Sequence, residues 1–261
     1  MASIRVVLRF HDGLKDLLAP SRRHGEFEHP AGITDTAKHV IESLGVPHTE
    51  IGRIAVNGIG GDLAQLLREG DCIDVLPAPN YEPLERPQFV LDGHLGRLAA
   101  YLRMLGFDVW YQQLADDVQL AAVCSAEERV LLTRDVGLLK RKEIERGRLI
   151  RSDRPHAQLR EVATRYLLHP HLCPFTRCMS CNGLLQKVTK ESVFELLPPH
   201  TRATKEDFSR CESCGKVYWK GSHHAVMRLW IGDLTNPHAS SHEFTVAEQP
   251  ADGRGIDSPA V

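Results

Sequence analysis

No apolar run in the 261-residue chain approaches the roughly 18 residues that a helix needs to cross a bilayer, which excludes a helical membrane protein. Met1–Phe10 has no basic segment leading into an apolar stretch and a small-residue cleavage site, so no secretory signal is expected and a cytoplasmic location is. A strong charge of one sign is also missing. The formal net charge is −2, and position along the chain says more than that total. Residues 1–87 carry 9 Lys and Arg against 13 Asp and Glu, whereas residues 151–234 carry 13 against 8. In a reducing compartment, seven cysteines are better read as metal ligands than as a disulfide framework.

Four of those cysteines form two tight pairs, Cys178-x-x-Cys181 and Cys211-x-x-Cys214. Thiolates two residues apart can reach one zinc ion, and a second pair completes its tetrahedron. The site is then closed to water, so the zinc is structural. Asn182-Gly183 and Gly215 follow the second cysteine of each pair, where such knuckles need left-handed backbone. Cys173 is the stray thiol, and His169, His171, His223 and His224 are ligands by type that four cysteines make unnecessary. The excess of Lys and Arg in this segment suits phosphate contact, with a solvated surface as the plain alternative. Tyr218 and Trp219 offer rings for stacking on a base, or for core packing.

Coarse periodicity divides the chain into four parts. Residues 1–80 read as a strand at Ser3–Phe10, a helix at Asp35–Leu44, a strand at Ile54–Gly58 entering an Asn57-Gly58 turn, and a closing strand at Asp71–Leu76. That order suggests a β-grasp unit, and its pieces resemble the small ubiquitin-like sulfur carriers. Their chemistry needs a free C-terminal Gly-Gly, and Gly60-Gly61 here is internal, leaving a docking role toward a protein partner or packing against the next domain. Pro79–Pro87 is a stiff linker. Residues 88–168 then alternate strands (Phe89–Leu91, Val109–Tyr111, Arg129–Thr133, Leu149–Arg151) with helices. The helices run from Leu95 to the Gly106 stop, from a cap at Asp116-Asp117 through Leu120, Ala121 and Cys124, to an end near Gly147, and over Gln158–Leu168. This alternation implies a parallel α/β sheet. Residues 169–234 form the zinc segment, with a helix candidate at Lys205–Phe208 between the pairs. Residues 235–261 are expected to be a disordered tail.

Asp92, Asp117, Asp135 and Asp153 follow the four strands of the α/β part, so a parallel sheet places all of them on its carboxyl edge, where ligands bind in such folds. Crowded carboxylates call for a divalent cation, and hard oxygen ligands with water in the remaining positions suit magnesium or manganese. The plain alternative is that they cap helices. Between Asp116 and Asp117 the Asp-x-x-Leu-Ala spacing favours Asp117. Arg134 has two possible roles, contact with a substrate phosphate or an ion pair with a neighbouring carboxylate.

Phe89-Val-Leu-Asp-Gly-His-Leu-Gly-Arg-Leu-Ala-Ala-Tyr-Leu-Arg-Met-Leu-Gly-Phe-Asp108 and Leu131-Leu-Thr-Arg-Asp135 resemble the mut-seven C-terminal RNase domain, a member of the PIN-like nucleases. Phe175, Arg177, Cys178, Cys181, Asn182, Cys211, Cys214, Tyr218-Trp219 and Gly221-Ser-His223 match that family's cysteine-rich half in order. With the ubiquitin-like module often found in front, the resemblance covers about residues 1–234. It implies a ribonuclease in which Asp92, Asp117 and Asp135 hold the catalytic magnesium or manganese, with Asp116, Asp153 and Arg134 as supporting residues. A zinc ribbon on Cys178, Cys181, Cys211 and Cys214 would help grip RNA, with Trp219 and His223 as contacts. A noncatalytic RNA-binding or adaptor protein uses the same ribbon and β-grasp unit without the aspartate-bound metal.

Overall fold

The computed structural model describes residues 3–235; the tail expected from residue 235 lies outside the described residues except for Thr235. The N-terminal part comprises β1 (Ser3–Phe10), β2 (Glu26–Gly32), α1 (Ala37–Ser43), β3 (Ile51–Val56), β4 (Ile59–Gly61) and β5 (Cys72–Pro77). They form one sheet in the order β2-β1-β5-β3-β4, with β1 and β5 parallel and the other neighbours antiparallel. Period-two alternation in β1 sends Val6, Leu8 and Phe10 into a core shared with Ala37, Val40 and Ile41 of α1. Asn57 and Gly58, at φ 53° and 79°, make the left-handed turn between β3 and β4. Two strands, β2 and β4, exceed the sequence expectation. β2 has charged residues and Pro30, and stands at the sheet edge with most of its residues exposed or half-buried, so pairing rather than apolar pattern holds it.

The central part alternates β6 (Gln88–Leu91), α2 (Gly96–Met104), β7 (Asp108–Tyr111), α3 (Asp117–Glu127), β8 (Val130–Thr133), α4 (Val136–Leu139), β9 (Gly147–Leu149) and α5 (Pro155–Arg165). The sheet is parallel throughout, in the order β7-β6-β8-β9. The chain leaves β6 for β7 on one side and returns to β8 on the other, which creates a switch point between β6 and β8. The third helix is a single turn, and Gly147 opens β9 instead of ending a helix.

β9 is an edge strand, and the N-terminal part covers it. Glu50, 1% exposed, accepts the Leu149 backbone N–H at 2.9 Å and pairs with Arg148 at 2.9 Å and Arg151 at 3.6 Å. His48 bridges Glu42 and the Ile144 carbonyl at 2.7 and 2.8 Å, and Leu17 packs against the hydrophobic clusters of both parts. The linker is strapped down rather than free: the Glu82 N–H donates to the Arg165 carbonyl at 2.7 Å and its carboxylate meets Arg165 at 3.0 Å. Residues 1–99 with 108–168 accordingly form one compact unit. Glu50→Ala leaves a backbone donor and two arginines without their partner, and is expected to cost about 3 kcal/mol, at the low end for a broken buried pair because both arginines reach solvent. Chemical denaturation of the full chain measures it. Glu50→Gln, which keeps an acceptor for Leu149, is expected to cost less.

The second unit joins residues 100–107 to the cysteine-rich part from His169 onward. There β10 (Leu185–Val188), β11 (Phe208–Cys211) and β12 (Val217–Trp219) form an antiparallel sheet in that order, with α6 (Lys190–Val193) and α7 (Pro199–Thr204) between β10 and β11, and α8 (Ser222–Thr235) last. The helix expected at Lys205–Phe208 ends before it begins: α7 stops at Thr204 and Phe208 enters β11. Phe208 sits opposite Val188 and Trp219, where it is buried with Val193 and Leu197.

Candidate metal centre and acidic edge

The four paired cysteines converge. Their sulfur atoms all lie within 4.8 Å of one another, with Cys178 Sγ to Cys214 Sγ at 3.6 Å and Cys181 Sγ to Cys211 Sγ at 3.4 Å. Four sulfurs about 2.3 Å from a tetrahedral ion stand about 3.8 Å apart, so the cluster has the geometry to hold a metal ion such as zinc. The two pairs are built alike. Cys178 N–H donates to the Gly183 carbonyl at 2.8 Å and Cys211 N–H to the Lys216 carbonyl at 2.9 Å. Asn182 and Gly215 donate back to the carbonyls of Cys178 and Cys211 at 2.9 and 3.0 Å. Asn182 and Gly215 share the same left-handed φ, 73° and 72°. Gly183 is required for a different reason: a Cβ there would stand 2.8 Å from Cys211 Sγ. Cys173 is exposed and outside the group.

The first cysteine of each pair is buried and the second exposed. Burial pushes the Cys178 thiol up, but the Tyr218 hydroxyl, 3.1 Å away, and the backbone N–H groups of Cys181 and Ser180 outweigh it and bring it to about 7. These contacts favour the thiolate of Cys178, the form that binds metal, whereas burial pushes the Cys181 and Cys214 thiols up. Tyr218 thus serves the sulfur cluster. Trp219 is half-buried against the Phe208 cluster, so its ring is engaged in packing. The side chain of His223 lies outside the described residues.

The aspartates stand on the carboxyl edge of the parallel sheet, as its topology requires, but with unequal surroundings. Asp92, 5% exposed, follows β6; its Oδ1 accepts the His94 N–H at 2.8 Å and its Oδ2 accepts the Thr133 hydroxyl and the Arg134 N–H, the latter at 3.0 Å. Asp135 is exposed after β8; its Oδ1 accepts the Gly137 N–H at 2.6 Å, and its own N–H donates to Thr133 Oγ1 at 2.9 Å. Thr133 therefore ties the two loops at the switch point. It escaped the sequence reading, although a fully buried hydroxyl closing the apolar run Val130–Leu132 was a usable signal.

On the next loop, the cap assignment moves by one residue. Asp116, not Asp117, caps α3, because Gln119 stands three positions on and returns the bond: Gln119 N–H to Asp116 Oδ1 at 2.8 Å and Asp116 N–H to Gln119 Oε1 at 3.2 Å. Asp117 is the first helical residue and exposed. Its loop abuts the Asp92 loop: a Cβ on Gly93 would meet the Gln113 carbonyl at 2.5 Å, and the Tyr111 hydroxyl donates to the Gly93 carbonyl at 3.1 Å. Arg134 forms an ion pair with Asp153. Among the described residues, the four thiols are the group of three or more metal-ligating side chains in mutual reach; the three aspartates do not form a second. No helix among the described residues is long and apolar enough to cross a membrane.

Comparison with curated proteins gives no match. Two family models do match, in the order and positions that the fold leads one to expect. Residues 3–82, the five-stranded sheet and its strap, match the Mut7-C ubiquitin model. Residues 87–231, which hold the parallel sheet, the acidic edge and the sulfur cluster, match the Mut7-C RNAse domain model, which covers more than half of the chain. The chain therefore belongs to the Mut7-C RNAse domain family, with a Mut7-C ubiquitin domain in front.

Proposed function

We propose that the protein is a metal-dependent ribonuclease of the PIN-like class, with its active site at the switch point between β6 and β8 and a structural zinc in the four-cysteine ribbon. The observation that carries this reading is the pairing of Asp92 and Asp135 through Thr133 on the carboxyl edge of a parallel sheet, in a chain of an RNase-domain family. Magnesium is commonly bound by one or two carboxylates and several waters, so this pair suits it or manganese without a third carboxylate in contact. A cation bound there would supply an activated water and offset charge on the phosphoryl group. Asp92, fixed by the donors Thr133, Arg134 and His94, orients one carboxylate; Asp135 presents the other toward solvent, where a phosphodiester can approach. Asp117, on the neighbouring loop, is assigned to the same pocket, with Asp116 and Asp153 supporting it by capping α3 and by holding Arg134.

RNA is the proposed substrate, and the basic cysteine-rich segment is the proposed grip. The ubiquitin-like domain has its β9-facing side engaged by the central sheet, which leaves the rest of its surface for a protein partner. The deciding experiment incubates single-stranded RNA with the purified full chain, with and without magnesium or manganese. Cleavage that requires the cation and disappears in Asp135→Asn, while RNA binding persists, is the expected result. Binding without cleavage under every metal condition would make the protein a noncatalytic RNA-binding adaptor.

A further inference from the structure

Arg103 is 3% exposed on the last turn of α2, and none of the ligand chemistry described above uses it. Burying a guanidinium is costly unless its charge and its donors are answered. Its Nη1 donates to the carbonyl oxygens of Ser180 at 2.8 Å and Met179 at 3.3 Å. These are the two residues between Cys178 and Cys181, so both peptide groups of the first knuckle are engaged from one side. On the other side, the N–H groups of those same peptides, belonging to Ser180 and Cys181, bear on the Cys178 sulfur and favour its thiolate. Each peptide is thus a link in a chain from guanidinium to carbonyl, then from N–H to thiolate. Hydrogen bonds in series polarise one another in the same direction.

A divalent ion bound by four thiolates leaves two negative charges in excess, and Cys178 is the most buried of the four cysteines. We propose that Arg103 is a positioning residue of the metal centre: a buried counter-charge that acts on the Cys178 thiolate through the Met179–Ser180 and Ser180–Cys181 peptides and holds the first knuckle closed around the ion. Other cations touch the knuckles from more exposed places. Arg177 donates to the Asn182 carbonyl at 3.0 Å, Lys216 to the Ser180 hydroxyl at 3.1 Å, and Arg210 to the Gly215 carbonyl at 3.3 Å. Arg177 and Arg210 each hold a single peptide whose N–H, that of Gly183 or Lys216, bears on Cys181 or Cys214, whereas Arg103 is the buried cation and engages two peptides that bear on the buried Cys178. Both carbonyls are served by the one nitrogen Nη1, so a lysine ammonium can take over part of the contact.

The inference rests on the sulfur cluster holding a metal, and the test separates the two. The full chain is loaded with cobalt(II), a coloured substitute for zinc, and compared with Arg103→Met, Arg103→Lys and Lys216→Met. Removing the relay makes the Cys178 sulfur more electron-rich, so the thiolate-to-cobalt charge-transfer band of Arg103→Met is expected to move to lower energy. Release of zinc to a chelator should be faster by about 10–100-fold, the usual cost of losing an outer-shell partner. Arg103→Lys should keep the band near its wild-type position with intermediate release, and Lys216→Met, which loses a contact to a side-chain hydroxyl and not to a peptide carbonyl, should resemble wild type. An unshifted band in Arg103→Met overturns the proposal, even with faster release, because it reduces Arg103 to a brace of the fold. Should Arg103→Met fail to fold, Arg103→Lys decides: release no faster than from wild type also overturns it. Wild-type protein that takes up neither zinc nor cobalt would remove the metal centre itself and the inference with it.

Discussion

Removing the metal from the full chain, or replacing Cys211 with Ser, is expected to unfold the cysteine-rich unit. The reason lies in the small core that its own strands carry among the described residues. Its three short strands enclose a cluster built on Val193, Leu197 and Phe208, with Val188, Val217 and Trp219 only partly buried around it. A core of that size cannot offset the chain entropy of ordering the segment. The binding free energy of a structural zinc, on the order of 10 kcal/mol in apparent terms, can. Both knuckles depend on it, since Cys211 joins β11 to the site and its sulfur lies against Gly183 of the other knuckle. Metal analysis should find one zinc per chain, and circular dichroism with limited proteolysis should show loss of structure after Cys211→Ser. Cys173→Ser, at an exposed position outside the cluster, should change neither metal content nor melting. Equal damage from the two substitutions would mean that Cys173 is a ligand.

The same site shows what a sequence can reveal. Two Cys-x-x-Cys pairs with Asn182-Gly183 and Gly215 after them encode both the ligands and the left-handed residue that closes each turn, because that information is local. The parallel sheet was legible for a similar reason: buried strands such as Phe89–Leu91 and Val130–Thr133 read as short apolar runs between helical patterns. What escaped was decided by distant partners. β2 is held by pairing with β1, and nothing in Glu26–Gly32 announces that. Phe208 lies beside a helical pattern, but burial with Val193 and Leu197 makes it a strand residue. The cap of α3 is a local exception: it stands one residue before the position that Asp-x-x-Leu-Ala spacing favours, because Gln119 completes the reciprocal bond with Asp116. Thr133 and Glu50 each reach a residue far along the chain, Asp92 in one case and Leu149 in the other.

Asp92→Asn and Asp135→Asn are expected to abolish RNA cleavage alike but to differ in stability, and that difference separates a structural carboxylate from an exposed one. Metal-assisted stabilisation of a phosphoryl transition state is worth several kcal/mol, so losing either ligand should cost at least about 10³-fold in rate. Asp135 is exposed and caps α4 through one N–H, a task that Asn performs about as well, so Asp135→Asn should melt within about 0.5 kcal/mol of wild type. Asp92 is buried, and its two oxygens accept from the Thr133 hydroxyl and from the N–H groups of Arg134 and His94. An amide there must turn its NH₂ toward one of those donors, leaving buried groups unpaired at a cost of about 1–3 kcal/mol. Denaturation in metal-free buffer reads the stability difference, and cleavage assays with manganese read the rate. Full cleavage by Asp135→Asn would end the active-site assignment. An Asp92→Asn variant as stable as Asp135→Asn would show that Asp92 is not held by those donors in solution. It would remove the ground for treating Thr133 as the tie between the two loops.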